Sequence, residues 1–459
     1  MNSIFGFAML YYTRALGLPP AYAGWAGLAA TIFDAVSDPI MGHISDNTRS
    51  RFGKRHPYMF FGGGLMVVSF FFVWYVPELF QQTVVTLFWY LVVMNLLLRG
   101  AFTIFIVPYT ALSFEICQDY AGRSKIQGIR SAMNMAANLL GPAMAHTVFF
   151  GRDTETMRAA NIAQNYVNMG IVFAAVAGVL IILTLIFTAK YAEDSRRDVT
   201  CSRDLTAFFR NMKDIVLDKY PRWVFLFIFF VILGIVLISS LQMYVFEDFM
   251  RFSGPQRTIA HGATMVGSGL GALASSVLVR RFDKKGAIFV AVGTGICAEF
   301  FLASLFLTGF LEPDLSAAGM PLGLIVFTMF HALYWCGTGV MFAVSLSMMA
   351  DITEINHVRT GKNKAGSYAA MYSMAVKLSI GPGMLLSGYC LGWVGFEPGA
   401  EAVQSPEVAW RIGAMMFLAG PLISLAALGL ILKYPVNKTF IESLRNEHTL
   451  EQQQKGSLR

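Results

Sequence analysis

The chain has 459 residues, of which 56% are hydrophobic and 14% are charged, and its mean hydropathy is +0.56. This balance excludes an ordinary soluble domain, in which about 25% of the residues are charged, and it predicts a polytopic membrane protein. The formal net charge of +7 does not indicate nucleic-acid binding, because Lys and Arg fall mostly in alternate loops between apolar segments.

The apolar segments predict twelve membrane spans in chain order. A helix that crosses the hydrocarbon needs about 20 mostly apolar residues, and short polar loops separate runs of this kind along the chain. The predicted spans are 4–16, 21–45, 58–76, 84–114, 128–150, 166–189, 222–246, 259–279, 286–309, 322–350, 366–392 and 408–434. Because the first is well below the usual length, we expect helix I to be short or clipped.

The basic residues indicate the orientation of these spans. They collect in the loops 49–55, 123–125, 190–219, 280–285 and 359–364, whereas intervening loops such as Pro77–Thr83, Gly309–Pro321 and Gly395–Pro406 carry no Lys or Arg. Basic loops stay on the cytoplasmic side of a membrane. We therefore expect both chain ends to be cytoplasmic, in a multi-pass protein of the plasma membrane such as a bacterial inner membrane.

The long basic segment divides the chain into halves of similar span number. Within it, apolar residues recur at helical spacing, which predicts an amphipathic cytoplasmic linker helix. Two six-span halves around a midplane site are a common plan of secondary transporters. The predicted organisation is an N-terminal transmembrane half over 1–189, a linker over 190–221, a C-terminal transmembrane half over 222–434 and a cytoplasmic tail over 435–459.

Two carboxylates, Asp34 and Asp38, lie in the second predicted span. Four residues apart on a helix, they share a face at about 6 Å and repel each other unless a cation or proton binds. An ionised Asp at the centre of a membrane helix costs about 2.5–3.5 kcal/mol. The pair is therefore interpreted as a coupling-ion site, for Na⁺ through hard oxygen ligands or for H⁺. The alternative is a structural ion pair with Arg99 or Arg130.

A glycine-rich stretch, Gly267-Ser-Gly269-Leu-Gly271, lies in the eighth predicted span. It follows no strand and lacks the Lys-Ser/Thr ending of a phosphate-binding loop. Small residues at this spacing allow helices to approach closely in a membrane. The stretch is therefore interpreted as a helix-packing surface.

Several motifs together resemble those of a known transporter family. They are Asp34-Ala-Val-Ser-Asp38-Pro-Ile-Met-Gly42 with the loop Thr48-Arg-Ser-Arg-Phe-Gly-Lys54, Val107-Pro-Tyr-Thr-Ala-Leu112, Ala350-Asp-Ile-Thr-Glu354 with Arg359-Thr-Gly-Lys362, and Lys377. Nearly the whole chain resembles the glycoside–pentoside–hexuronide:cation symporter family of the major facilitator superfamily. This resemblance implies an all-α membrane protein with the major facilitator fold, built from two six-helix halves.

The resemblance also implies roles for individual residues. It places four residues at the family's cation-site positions, namely Asp34, Ser37, Asp38 and Thr103. It places four others at positions that line the family's sugar pocket, namely Arg130, Phe342, Ser373 and Lys377. Lys377 lies deep in an apolar span, where its ammonium needs a carboxylate partner, and Asp34 or Asp38 is the expected one.

Two departures from the family pattern concern the substrate. The fourth-span acid that the family uses for sugar binding falls on Ile106, and the neighbouring aromatic position falls on Thr110. Since a carboxylate is a strong acceptor for hydroxyls, its loss argues against a plain galactoside. Arg99 lies seven residues before Ile106 on the same helix face. Arg99 either favours an anionic substrate such as a hexuronide or neutralises Asp34.

The basic loop after the second span predicts a conformational latch. Asp46 is expected to accept from backbone amides at a helix start, while Arg49, Arg51 and Arg55 meet acids across the cytoplasmic ends and hold the outward-open state. A matching role is expected for the loop that contains Asp351 and Arg359. The alternative is that the basic residues only set the topology.

The remaining polar residues of the spans carry no strong signal. Three scattered histidines have no second ligand at metal spacing and are interpreted as ordinary polar or buried side chains: His146, His261 and His331. For Glu299, in the ninth span, helix–helix hydrogen bonding and proton relay are both open. Apart from Na⁺, no metal or cofactor is predicted.

The sequence therefore predicts a secondary symporter that imports a sugar, glycoside or hexuronide with Na⁺ or H⁺ by alternating access. A rival in the same superfamily is a lysolipid or amphiphile symporter, since the pocket is apolar near Ile106 and Phe342. A non-transporting membrane sensor or an intramembrane enzyme is disfavoured, because no metal motif, activated Ser or nucleotide loop supports it.

Overall fold

The computed structural model of the chain describes residues 2–46, 48, 50, 52–115, 120–151, 158–191, 218, 220–317, 320–360, 365–436, 440 and 443. These residues are mostly helical, and the strands among them form one hairpin, β1 (Ser316–Ala317) and β2 (Met320–Pro321). The prediction of an all-α membrane protein is confirmed for this part of the chain.

The helices follow the predicted spans in chain order. They are α1 (Asn2–Leu10), α2 (Pro20–Asp46), α3 (His56–Trp74), α4 (Glu78–Gln81), α5 (Val84–Glu115), α6 (Tyr120–Met144), α7 (Ala163–Thr188), α8 (Pro221–Tyr244), α9 (Gly254–Phe306), α10 (Leu322–Thr360), α11 (Ala365–Trp393), α12 (Pro406–Ala414) and α13 (Gly420–Leu432). Five-residue π turns follow four of them, at Tyr11–Ala15, Ala145–Phe149, Val245–Phe249 and Met415–Ala419. Short 3₁₀ turns lie at Ala159–Asn161 and Ala189–Tyr191.

α9 contains two predicted spans joined without a loop. The break between them is Asp283, whose φ of 58° and ψ of 171° are not helical. Asp tolerates positive φ better than most residues, and here the backbone N–H of Lys284 donates to Asp283 Oδ1 at 2.7 Å. The turn therefore falls inside the predicted basic loop 280–285.

Eight helices in the described residues are long and apolar enough to cross a membrane. One of them, α9, contains two of the predicted spans. α1, α2 and α6 do not meet this standard, because α1 has nine residues and the other two are less apolar. α1 and the π turn that follows it cover the first predicted span, 4–16, up to Ala15. The total of twelve spans stays a prediction.

The chain forms two compact units. Unit 1 consists of Met1–Arg203, Ser239–His261 and Ile380–Ile412, and unit 2 consists of Asp204–Ile238, Gly262–Ser379 and Gly413–Arg459. Unit 1 thus contains the whole predicted N-terminal half, together with the end of α8, the start of α9, the end of α11 and the start of α12. The predicted linker 190–221 falls mostly outside the described residues, so its helix and the domain boundaries stay predictions.

Close helix packing positions the polar residues of each unit. In unit 1, α3 crosses α5 at Gly62, where an added Cβ would lie 2.8 Å from the backbone N of Phe105. In unit 2, a Cβ at Gly271 would overlap the backbone carbonyl of Cys336. These contacts leave no room for a side chain. The interpretation of 267–271 as a packing surface is confirmed.

Candidate functional site

A polar cluster lies where α2 packs against α5 in unit 1. α2 contributes Asp34 and Asp38, and α5 contributes Arg99 and Thr103, one helical turn apart. Asp34 and Arg99 are buried, with 2% and 7% of their surface exposed, while Asp38 is half-buried. The four-residue spacing on each helix brings all four side chains to the same contact.

The Thr103 hydroxyl joins the two carboxylates. Its Oγ1 lies 2.8 Å from Oδ1 of Asp38 and 3.3 Å from Oδ1 of Asp34. A hydroxyl has one proton, so Thr103 donates to one carboxylate at a time. Ser37 Oγ lies 3.4 Å from Thr103 Oγ1. The structure therefore brings together the four residues that were expected to form the cation site.

Arg99 pairs with Asp34, because its Nη1 lies 3.1 Å from Oδ2 of that carboxylate. The sequence left two roles for Arg99, namely binding of an anionic substrate and neutralisation of Asp34. The structure contains the contact that neutralisation requires. Within this cluster, two carboxylates and one guanidinium carry a formal charge of −1, which one monovalent cation would neutralise. The carboxylate and hydroxyl oxygens are the hard ligands that Na⁺ prefers, and a carboxylate oxygen also accepts H⁺.

The predicted substrate residues are divided between the units. In unit 1, Arg130 Nη2 donates to Thr110 Oγ1 at 3.1 Å, and its guanidinium carbon lies 5.9 Å from the centre of the Tyr109 ring. Arg130 therefore contacts the position at which the family pattern has an aromatic residue. This half-buried cation is held by α5 neighbours.

Unit 2 contains the other predicted substrate residues. Phe342 of α10 is 39% exposed, Ser373 of α11 is exposed and Lys377 of α11 is half-buried. Their participation in one pocket with residues of unit 1 stays a prediction, as does the pairing of Lys377 with Asp34 or Asp38.

The predicted latch residues are described only in part. Arg49 and Arg51, and the side chains of Asp46 and Arg359, lie outside the described residues. Arg55 is buried, and its Nη1 donates to Ser45 Oγ at the end of α2 at 2.8 Å.

In unit 2, the predicted latch acid Asp351 meets a cation. Its Oδ2 lies 2.5 Å from Lys284 Nζ, so that the basic turn of α9 is tied to the last turns of α10. Lys284 was not among the predicted site residues, although it belongs to the basic loop 280–285. The role of this contact as a latch stays a prediction.

Sequence reasoning missed a second ionic cluster in unit 1. Arg14 forms an ion pair with Asp248, Arg257 Nη1 lies 2.5 Å from Oε1 of Glu247, and Arg158 Nη1 lies 3.7 Å from Oδ1 of Asp248. Four of these five side chains are buried. The cluster ties the π turn after α1 to the π turn Val245–Phe249.

This second cluster lies at the opposite end of α3 from the Arg55 loop. The hydroxyl of Tyr11, beside the cluster, donates to the carbonyl of Trp74 at the end of α3. Arg55 precedes the start of that helix, which is about 28 Å long. Two signals in the sequence point to the cluster. Arg14 is a charge in a short apolar span, and Glu247-Asp248 follows the predicted end of span 222–246.

Three histidines were interpreted from the sequence as ordinary polar or buried side chains rather than metal ligands. His146, His261 and His331 are all buried, which agrees with their interpretation as buried side chains. Among the described residues, no group of three or more His, Cys, Asp or Glu side chains is placed to hold a metal ion.

Comparison with known proteins identifies relatives over the full length of the chain. Residues 1–438 match the family described as MFS/sugar transport protein. The chain is 24% identical to the inner membrane symporter YicJ of Escherichia coli, over 89% of this chain and 82% of that protein. It is 23% identical to the glucuronide carrier protein homolog of the same organism, over 97% and 92%.

Two further comparisons widen the range. The chain is 22% identical to the sodium-dependent lysophosphatidylcholine symporter 1 of Gallus gallus, over 96% of this chain and 86% of that protein. Its structure is similar to the crystal structure of a point mutant of the nucleoside transporter NupG, with a TM-score of 0.62 and 14% identity over 95% and 96% of the two chains. The second comparison shows the fold alone.

Proposed function

Since the chain belongs to the MFS/sugar transport protein family and is a multi-pass membrane transporter rather than an enzyme, we propose that it is a cation-coupled symporter of a sugar, glycoside or hexuronide. The proposal includes the bacterial inner membrane as its location, with both chain ends cytoplasmic. The orientation rests on the basic loops.

The observation that carries the proposal is the cluster of Asp34, Asp38, Arg99 and Thr103. Two acids on one helix face with one guanidinium give this cluster a formal charge of −1 inside a membrane helix bundle. Acids at this depth are costly and are functional by default. The coupling ion that these carboxylate and hydroxyl oxygens would bind is a monovalent cation, either Na⁺ or H⁺.

The cluster suggests a division of labour between the two carboxylates. Arg99 holds Asp34, so this acid fixes the geometry of the site. Asp38 shares the Thr103 hydroxyl and is the acid whose charge the cation balances. Cation binding and substrate binding then favour the same conformation, and each raises the affinity for the other by the same factor.

The substrate class follows from weaker support. Arg130 would supply positive charge, and Ile106 replaces the acid that the family uses for sugar binding, which together favour a hexuronide over a neutral sugar. The similarity to a glucuronide carrier protein homolog agrees with this choice. The similarity to a lysophosphatidylcholine symporter supports a lysolipid as the second candidate.

The test is uptake into proteoliposomes that contain the purified protein. Labelled neutral glycosides, hexuronides and lysolipids are offered separately under an imposed Na⁺ or H⁺ gradient. We expect one substrate class to accumulate under one of the two gradients. Uptake that responds to neither gradient would contradict cation coupling, and accumulation of the lysolipid alone would select the second candidate.

A further inference from the structure

A buried carboxyl and a buried histidine meet inside unit 2. Oε1 of Glu299, in α9, lies 2.7 Å from Nδ1 of His331, in α10, and both side chains are 0% exposed. Glu299 lies about 22 Å along the helix from Lys284, at about 1.5 Å per residue. The pair is therefore far from the basic turn of α9 and inside the predicted span.

Trp335 determines which nitrogen of His331 carries the ring proton. The indole Nε1 of Trp335 lies 3.1 Å from Nε2 of His331, and an indole N–H only donates. Nε2 is therefore the acceptor and carries no proton. Nδ1 carries it and donates to Glu299. In this arrangement His331 is neutral and does not balance a charge on the carboxylate.

The second carboxyl oxygen of Glu299, Oε2, is the one that can take up a proton. Oε2 is buried and has no hydrogen-bond partner among the described residues. Within the same part of the chain, the ion-pair partner of this carboxyl is His331, through the other oxygen. A charged carboxylate that is fully buried and not balanced by a cation is strongly unfavourable. A proton on Oε2 removes the charge and leaves the Nδ1–H···Oε1 hydrogen bond unchanged.

We propose that Glu299 and His331 form a proton-binding site, in which Oε2 of Glu299 gains a proton from hydronium and releases it to water. No other covalent bond changes. The site lies in unit 2, whereas the carboxylates Asp34 and Asp38 lie in unit 1. It is therefore an additional ion site, and its protonation does not depend on the identity of the transported substrate.

The surroundings supply a neighbour for proton exchange. The ring of Tyr334 stacks on His331 with centroids 6.2 Å apart, and Tyr334 interacts electrostatically with Glu299. Tyr334 also lines a cavity of about 10 Å³, enough for about one water molecule. The titratable groups that the structure describes at this site are Glu299, His331 and Tyr334. The other helices at the cavity, α8 and α13, contribute side chains that do not titrate, namely Val231, Ile235 and Ser424.

Infrared difference spectroscopy of the purified full-length protein tests the proposal without substrate or gradient. A protonated carboxyl and a carboxylate absorb in different regions, so the spectrum is recorded across about pH 5 to about pH 9. We expect a carboxylic-acid band that decreases with rising pH in the wild type. The part of this band that Glu299 contributes should be lost in Glu299→Gln, in which the amide oxygen still accepts from His331, whereas any part from Asp34 or Asp38 should remain. Glu312→Gln, which changes an exposed acid, is the matched control and should keep the band.

A second variant keeps the carboxyl and changes its partner. Trp335→Phe removes the N–H donor and frees Nε2 of His331 for a proton, so that part of the bound proton moves to the imidazole and the carboxylic-acid band shrinks. A purely structural hydrogen bond predicts neither effect. A spectrum without a pH-dependent carboxyl band, or a Glu299→Gln spectrum whose band is as strong as that of the wild type, would overturn the proposal. Neither result bears on uptake through Asp34 and Asp38.

Discussion

Asp34→Asn and Asp38→Asn are expected to have very different effects on stability, although the two residues lie on the same helix face. Asp34→Asn leaves the Arg99 guanidinium, which is 7% exposed, without the carboxylate that lies 3.1 Å away. Removing one partner of a buried ion pair costs about 3–5 kcal/mol. Asp38→Asn keeps the Arg99 pair and an oxygen that accepts from Thr103, so its cost is at most about 1 kcal/mol.

Equilibrium unfolding in mixed detergent micelles, followed by circular dichroism, measures these costs. The expected difference corresponds to a change of about thirty-fold to a few thousand-fold in the unfolding equilibrium. The matched control is the double variant Asp34→Asn with Arg99→Gln, which removes both charges and should recover most of the lost stability. Equal destabilisation by the two single variants, or additive losses in the double variant, would refute the assignment of Arg99 to Asp34.

Two further predictions concern packing and the ends of the helices. Gly62→Ala should lower the free energy of unfolding by about 1–3 kcal/mol, because its Cβ would lie 2.8 Å from a backbone atom of α5. In Gly64→Ala, the added Cβ would have no atom within 4 Å, so this variant should be neutral or stabilising in the same assay. Equal losses of unfolding free energy in the two variants would contradict the packing account. Lys284→Met should cost about 1.5–3 kcal/mol by removing a charged hydrogen bond to Asp351. Lys284→Met with Asp351→Leu should cost less than the sum of the single variants, and additivity would show that the two residues do not interact.

The sequence predicted most of the helices and the two acids of the cluster in which Asp34 meets Arg99. Apolar runs predicted the helices except α4, which lies between two predicted spans, because a span needs about 20 mostly apolar residues. Asp34 and Asp38 were evident because an acid in an apolar helix is rare. The contact between α2 and α5 was evident only through the family resemblance, which placed Thr103 beside them. Helix periodicity gives the face of a residue but not the helix that it meets.

The remaining contacts depend on tertiary structure. His331 looked like an isolated histidine because its partner, Glu299, is on another helix, and only packing brings the two side chains to 2.7 Å. The ion pair of Arg14 with Asp248 joins residues more than two hundred positions apart. Pairings at such separations leave no local pattern, although each charge was visible as an exception within an apolar segment.

The division of labour between Asp34 and Asp38 is tested most directly by comparing two modes of transport in Asp38→Asn, using the substrate that the uptake panel selects. Counterflow exchange needs substrate binding and alternating access, whereas accumulation against a gradient also needs cation coupling. We predict that the variant keeps counterflow and loses accumulation by at least about tenfold. Accumulation at the wild-type level in Asp38→Asn would contradict the central claim that this carboxylate couples the cation to transport.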